Sequence, residues 1–119
     1  MCLFCKIINN EEKSYTIYED DIVKVFMNIF PNSNGHLLVV TKKHYENFLD
    51  IDLDTLNYIN KIIKKMYILL KEKLNIDGLT ISNNNELGQE IKHFHIHLIP
   101  RYEKEDKQSI EDIYSILKE

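Results

Sequence analysis

His93-Phe94-His95-Ile96-His97-Leu98-Ile99 sets three imidazoles in alternation with apolar side chains, which is the period of an extended strand. On such a strand Phe94, Ile96 and Leu98 share one face and can pack on a helix. His93, His95 and His97 share the other, roughly 6–7 Å apart along the chain. An imidazole with an unperturbed pKa near about 6.5 is mostly neutral at pH 7, so on a rigid strand it can attack an electrophile without an auxiliary base. Phosphorus is the natural target, because neighbouring rings can donate hydrogen bonds to its non-bridging oxygens. Two plainer readings stand beside this one: a row of exposed histidines, and a metal site without catalysis.

Outward from that strand, residues 83–88 (Asn-Asn-Asn-Glu-Leu-Gly) form a polar loop preceded by a strand at residues 79–82. Leu53, Leu56, Ile59, Ile63, Met66, Leu70 and Leu74 recur at spacings of three and four, with lysines largely between them. This predicts one long amphipathic helix, started by Asp52 or Asp54 and ended within residues 75–78. The apolar run in residues 36–41 suits a strand covered on both faces, hence a central one, led in by a loop at residues 31–35. Residues 16–19 and 22–27 read as a hairpin turning at Glu19-Asp20-Asp21, and residues 2–9 as a short helical turn. Ser109 caps a last helix with Ile110, Ile113, Tyr114 and Leu117 on its apolar face.

The chain has 119 residues, enough for one domain spanning 1–119, with no internal repeat or linker. A formal charge of -4 argues against a general nucleic-acid binder, which carries a basic footprint. There is no apolar run near the roughly 20 residues that span a bilayer and no signal-peptide pattern, so no membrane partner and a cytoplasmic location are expected. In a reducing compartment the Cys2-x-x-Cys5 pair stays as thiols, open to a metal or to redox chemistry.

The sequence resembles the histidine-triad (HIT) family, whose signature is His-φ-His-φ-His-φ-φ with φ apolar; residues 93–99 match every position. The likeness extends to Gly88-Gln89-Glu90-Ile91-Lys92, to the segment from Pro31 through Gly35-His36-Leu37-Leu38-Val39-Val40 to Lys42-Lys43-His44, and to Cys2-Leu3-Phe4-Cys5, which is similar to the start of bacterial Hint-like members. The resemblance implies an α+β fold: an antiparallel sheet of about five strands with one long helix and short terminal helices, paired into a homodimer. It implies catalysis through a covalent nucleotidyl intermediate on His95, with His97 at the phosphate, His93 completing the triad, and His36 behind it orienting the rings.

By the same resemblance the nucleoside pocket falls on Phe26, Asn28 and Ile29, where Asn28 replaces the acidic residue that commonly holds the ribose. Gly88 would approach the phosphate and Gln89 the leaving group. Glu90 stands where relatives often carry Ser or Thr; an ionised carboxylate would repel a phosphate, so it is expected to point elsewhere. Ser82 and Asn83 both remain open for the family's polar position. Cys2, Cys5, His44 and His93 match a structural zinc site of related proteins, a Cys2His2 set suited to tetrahedral zinc. The implied activity is that of a purine nucleoside phosphoramidase or nucleotide hydrolase. Dinucleoside polyphosphate hydrolysis is the enzymatic rival, since Gln89 and Arg101 suit either leaving group, and a nucleotide-sensing binding module is the non-enzymatic one.

Overall fold

β3 (Leu37–Thr41) lies at the middle of a five-stranded, wholly antiparallel sheet built with β1 (Thr16–Glu19), β2 (Val23–Met27), β4 (Gly78–Ser82) and β5 (His95–Arg101), in the order β1-β2-β3-β5-β4. All five residues of β3 are buried, as expected of a strand covered on both faces. The computed structural model describes residues 2–119. With α1 (Leu3–Ile8), α2 (Leu53–Leu74) and α3 (Ile110–Lys118) the fold is α+β, in agreement with the sequence expectation.

Strand alternation divides the interior in two. Val23, Val25 and Met27 of β2, Leu37 and Val39 of β3, and Ile96 and Leu98 of β5 join Phe94 and the buried faces of α2 and α3 in the main core. Phe26, Leu38 and Val40 point to the opposite face and meet Phe4 and Ile7 of α1 in a smaller cluster. The β3–β5 register sets Val40 opposite His95 and Leu38 opposite His97, so both histidines share that second face.

The long helix begins where Asp52 accepts from the Thr55 backbone N–H at 3.0 Å and ends on Asn75 in the left-handed conformation. It buries Ile59, Ile62, Ile63, Met66 and Leu70. Leu53, placed on the apolar stripe by spacing, is instead 76% exposed in the first turn, ahead of the sheet contact. On the other face, the buried Lys24 ammonium donates to the Ile7 carbonyl at 3.0 Å, a cation set at the end of α1 where its last carbonyls lack helical partners.

β2 and β5, like β3 by a single residue, start later than their sequence patterns suggest. Ile22 belongs to the preceding turn, its N–H held by the Asp20 carboxylate at 2.8 Å. His93 and Phe94 precede β5, because the Phe94 N–H bonds the Tyr45 carbonyl and the His93 ring, not its backbone, reaches β3.

Gly35, which turns the chain into His36 and β3, has φ +86°, and a Cβ there would lie 2.6 Å from Leu74 Cδ1 and 3.1 Å from Leu70 Cδ2. Left-handed strain of about 1–2 kcal/mol and crowding against α2 then act together. Gly35→Ala is expected to lower unfolding free energy by about 2 kcal/mol, read as a lower urea midpoint at unchanged slope; an unchanged midpoint would show that the turn and Leu74 relax freely.

Candidate active site and metal centre

His95 and His97 project from β5 into an open cleft of about 500 Å³, within the usual size range for small-molecule sites. Their rings stand 5.0 Å apart, centroid to centroid, and Phe4 of α1 packs edge-on against His95 at 4.9 Å. Phe26, Asn28, Ile29 and Gly88 line the same cleft.

The hydrogen-bond partners fix which nitrogen of each ring carries the proton. The Asn32 backbone N–H, which can only donate, reaches His36 Nδ1 at 3.1 Å, so that nitrogen accepts and the proton of the neutral ring sits on Nε2. His36 Nε2 lies 3.0 Å from His97 Nδ1 and donates to it, which puts the His97 proton on Nε2. His95 has the opposite form: its Nδ1 is 2.7 Å from the His93 carbonyl, which can only accept, so Nδ1 carries the proton and Nε2 keeps its lone pair. One ring thus offers a lone pair and its neighbour a hydrogen-bond donor.

Burial keeps these rings neutral. It pushes His36 down to about 4, with the charge His97 carries only when protonated and then the Arg101 guanidinium adding to the effect. His95 is lowered chiefly by burial, against the hydrogen bond to His93 and the Glu90 carboxylate, which act upward. His97 is lowered by burial and then by His95, again opposed by Glu90.

His93 does not join the other two in the cleft. Its ring is fully buried and turned toward the N-terminus, with Nε2 donating to the Thr41 carbonyl at 2.7 Å. That bond leaves Nδ1 unprotonated, facing Cys2 Sγ and Cys5 Sγ, each at 3.4 Å. His44 Nδ1 completes the group at 3.7 Å from Cys2 Sγ and 3.2 Å from Cys5 Sγ, and the four ligand atoms all lie within 4.8 Å of one another. Zinc–ligand lengths of about 2.3 Å to sulfur and 2.0–2.1 Å to nitrogen set sulfur–nitrogen separations of roughly 3.5 Å in a tetrahedron, close to those seen. The two sulfurs, at 2.7 Å, are nearer than the roughly 3.7 Å such a tetrahedron sets. Burial and the adjacent Cys2 raise the Cys5 thiol, a penalty on two close thiolates that a divalent cation would remove.

The loop between β4 and β5 departs most from expectation. Gln89 is buried away from the cleft, its amide donating to the Glu46 carbonyl at 2.6 Å and accepting from the Glu86 N–H at 3.1 Å; it braces the loop. Glu90, expected to point elsewhere, lines the cleft with His95 and His97. Ser82 pairs with His97 within the sheet, and the Asn83 amide donates to the His95 carbonyl at 3.0 Å. Asn84, which had no separate signal within a run of three asparagines, lines the cleft. Arg101 donates to Thr80 Oγ1 at 2.9 Å.

A sheet that turns two neutral histidines toward a cleft and a third into a cysteine-bearing cluster defines a histidine-triad protein. The HIT domain model matches residues 9–104, and the chain belongs to that family. A HIT-like protein of Methanocaldococcus jannaschii is 50% identical over 105 residues, covering 87% of this chain and 81% of its own. Among solved structures, a hypothetical histidine triad nucleotide-binding protein from Sulfolobus tokodaii is 36% identical with a TM-score of 0.87, covering 98% of this chain and 87% of its own. A zinc-bound histidine triad family protein from Mycobacterium smegmatis is 26% identical with a TM-score of 0.90, covering 98% and 90%.

The proton assignment of His36 has a measurable consequence. Above pH 6.5 the ring is neutral in both folded and unfolded chains. Between 6.5 and about 4 the unfolded chain binds a proton that the folded one refuses, so stability is lost as pH drops through this window, by up to about 1.4 kcal/mol per unit for this ring. Nitrogen NMR of the imidazoles should show His36 protonated on Nε2 alone down to pH 5; a titration near 6.5 would break the chain of assignments from Asn32 to His97.

Proposed function

We propose that this chain is a purine nucleoside phosphoramidase, hydrolysing the bond between a nucleoside α-phosphate and an amine through a covalent intermediate on His95. The observation that carries the reading is the opposed protonation of the two cleft rings: an unprotonated His95 Nε2 beside a protonated His97 Nε2. His95 Nε2 attacks phosphorus while the phosphorus–nitrogen bond to the amine breaks. The departing nitrogen keeps the bonding pair and takes a proton from water at the open mouth of the cleft. His97 Nε2–H donates to a non-bridging oxygen, where charge must be stabilised. The His93 carbonyl, accepting from His95 Nδ1–H, favours the positive charge the ring acquires. Water then attacks phosphorus, giving its proton to the hydroxide left by the first step; the bond to Nε2 breaks, and the nucleoside monophosphate leaves with His95 neutral again.

The nucleoside fits the apolar side of the cleft, with Phe26 and Ile29 against the base. Asn28 Oδ1 accepts from the Phe30 N–H at 2.9 Å, so its Nδ2 hydrogens are left to bind a ribose hydroxyl. Gly88 has φ +98°, and even a Cβ there would meet no heavy atom within 4 Å, which leaves room for a phosphate beside the backbone. The nucleotide-binding relative from Sulfolobus tokodaii supports the substrate class.

Cys2, Cys5, His44 and His93 would hold a structural zinc, a reading supported by the donor chemistry and by the zinc-bound relative. Its contribution would be to fasten α1, and so the Phe4 ring, to the sheet. β4 is an edge strand, and Ile81 on it and Ile68 on α2 are more than half exposed, which supports a homodimer paired through these two elements.

Incubation with an adenosine phosphoramidate, alkaline quenching and peptide mass measurement should find an adenylyl group on the His95 peptide. His95→Ala and His95→Asn should lose the adduct and more than about 10³-fold in turnover while still binding nucleotide. Turnover equal to wild type would remove His95 from the reaction. Faster turnover of a diadenosine polyphosphate than of the phosphoramidate would favour the rival hydrolase, and tight binding without turnover a sensor. Metal analysis of untagged protein should give about one zinc per chain, dropping in Cys5→Ser with a lower melting temperature; a wild-type content near zero would end the zinc assignment.

A further inference from the structure

The geometry points to Glu90 as a charge selector at the mouth of the active site, favouring phosphoramidates whose departing amine carries a positive tail over those whose leaving group is anionic. The inference rests on the phosphoramidase reading and narrows its substrate class.

Among the described residues, three charged side chains line the cleft: Glu12, Lys13 and Glu90. Of these Glu90 shares the cleft wall with both His95 and His97, and its carboxylate acts upward on the His97 ring. Its side chain is exposed and has no hydrogen-bond or ion-pair partner among the described residues, Lys13 of the same cleft included. Gln89, the neighbour with hydrogen-bonding capacity for a leaving group, is committed to Glu46 and Glu86. Arg101 is occupied by Thr80 and is absent from the cleft lining. The cleft beside His95 and His97 therefore carries an unpaired carboxylate that Arg101 does not offset.

That arrangement disfavours a polyphosphate or second nucleotide leaving group, whose charges would meet the carboxylate in a partly desolvated cleft. It suits an amine. Once the phosphorus–nitrogen bond breaks, the nitrogen holds the bonding pair and one proton from water. An alkylamine then gains a second proton at neutral pH, since such groups titrate near about 10. The carboxylate attracts this ammonium and any cationic tail beyond it, and no further bond changes at Glu90.

The test compares adenosine phosphoramidates of matched length and identical phosphorus–nitrogen bonds: one of 1,5-diaminopentane, with a cationic tail, one of 6-aminohexanoate, with an anionic tail, and one of neutral hexylamine. In wild type, kcat/KM should favour the diaminopentane conjugate over the aminohexanoate conjugate by at least about tenfold. Glu90→Gln should bring that ratio toward one and Glu90→Lys should invert it. Raising sodium chloride from about 20 to about 300 mM should shrink the wild-type ratio without any substitution, through screening. A ratio unchanged in Glu90→Gln and insensitive to salt would overturn the assignment while leaving the phosphoramidase reading intact. Absence of turnover and of a His95 adduct with the neutral hexylamine conjugate would overturn both.

Discussion

The pairing of β3 with β5 is the constraint on which the rest of the molecule depends. Its register places Val39 opposite Ile96 and Val40 opposite His95, and side chains alternate faces at every step. A slip of one residue would drive His95 and His97 into the apolar layer under α2 and expose Ile96 and Leu98. The core resists that slip strongly, because Leu98 and Phe94 are fully buried against α2 and an unpartnered imidazole there would carry the desolvation cost of two polar nitrogens. Hydrophobic packing on one face thus holds the chemical groups on the other.

The same backbone supplies the polarity of the site. The neutral imidazoles have no intrinsic preference strong enough to set a mechanism; their neighbours choose for them. A carbonyl at His93 and an N–H at Asn32, one obligatory acceptor and one obligatory donor, propagate through His95 and through His36 to His97 and leave the two cleft rings in opposite forms. Burial supports the choice by disfavouring a second proton on any of these rings. Charge therefore enters the cleft from its rim, where Glu90 stands.

Period and spacing were sufficient wherever a side chain's direction follows from regular backbone. The alternation in β5, the apolar run of β3 and the stripe from Ile59 to Leu70 could all be read directly, and the cap narrowed to Asp52 or Asp54. His93 shows where that logic stops: two residues ahead of the strand, its ring obeys the Thr41 carbonyl and the cysteines rather than the pleat. The loop from residue 83 to 92 shows it more fully. Positive φ angles at Glu86 and Gly88 break the parity of side-chain directions, so Gln89 turns inward and Glu90 toward the histidines, the reverse of their family-based assignment. Neither composition nor spacing encodes such a reversal, because it is decided by the Gln89 amide side chain, which accepts from the Glu86 N–H and donates to the carbonyl of Glu46, far away in sequence.

His93 joins the two halves of the site. Its ring belongs to the cysteine cluster and its carbonyl to His95, so one residue orients both the N-terminal helix and the His95 ring. α1 is correspondingly held at both ends: at Cys2 and Cys5 by the cluster, and at Ile7 by the buried Lys24. Between those anchors Phe4 meets His93 and His95 edge-on, at 6.1 and 4.9 Å. A six-residue helix is too short to be stable by its own hydrogen bonds. Its place on the sheet, and with it one wall of the cleft, comes from tertiary anchors, so disturbance of the cysteine cluster reaches His95 through both packing and the His93 backbone.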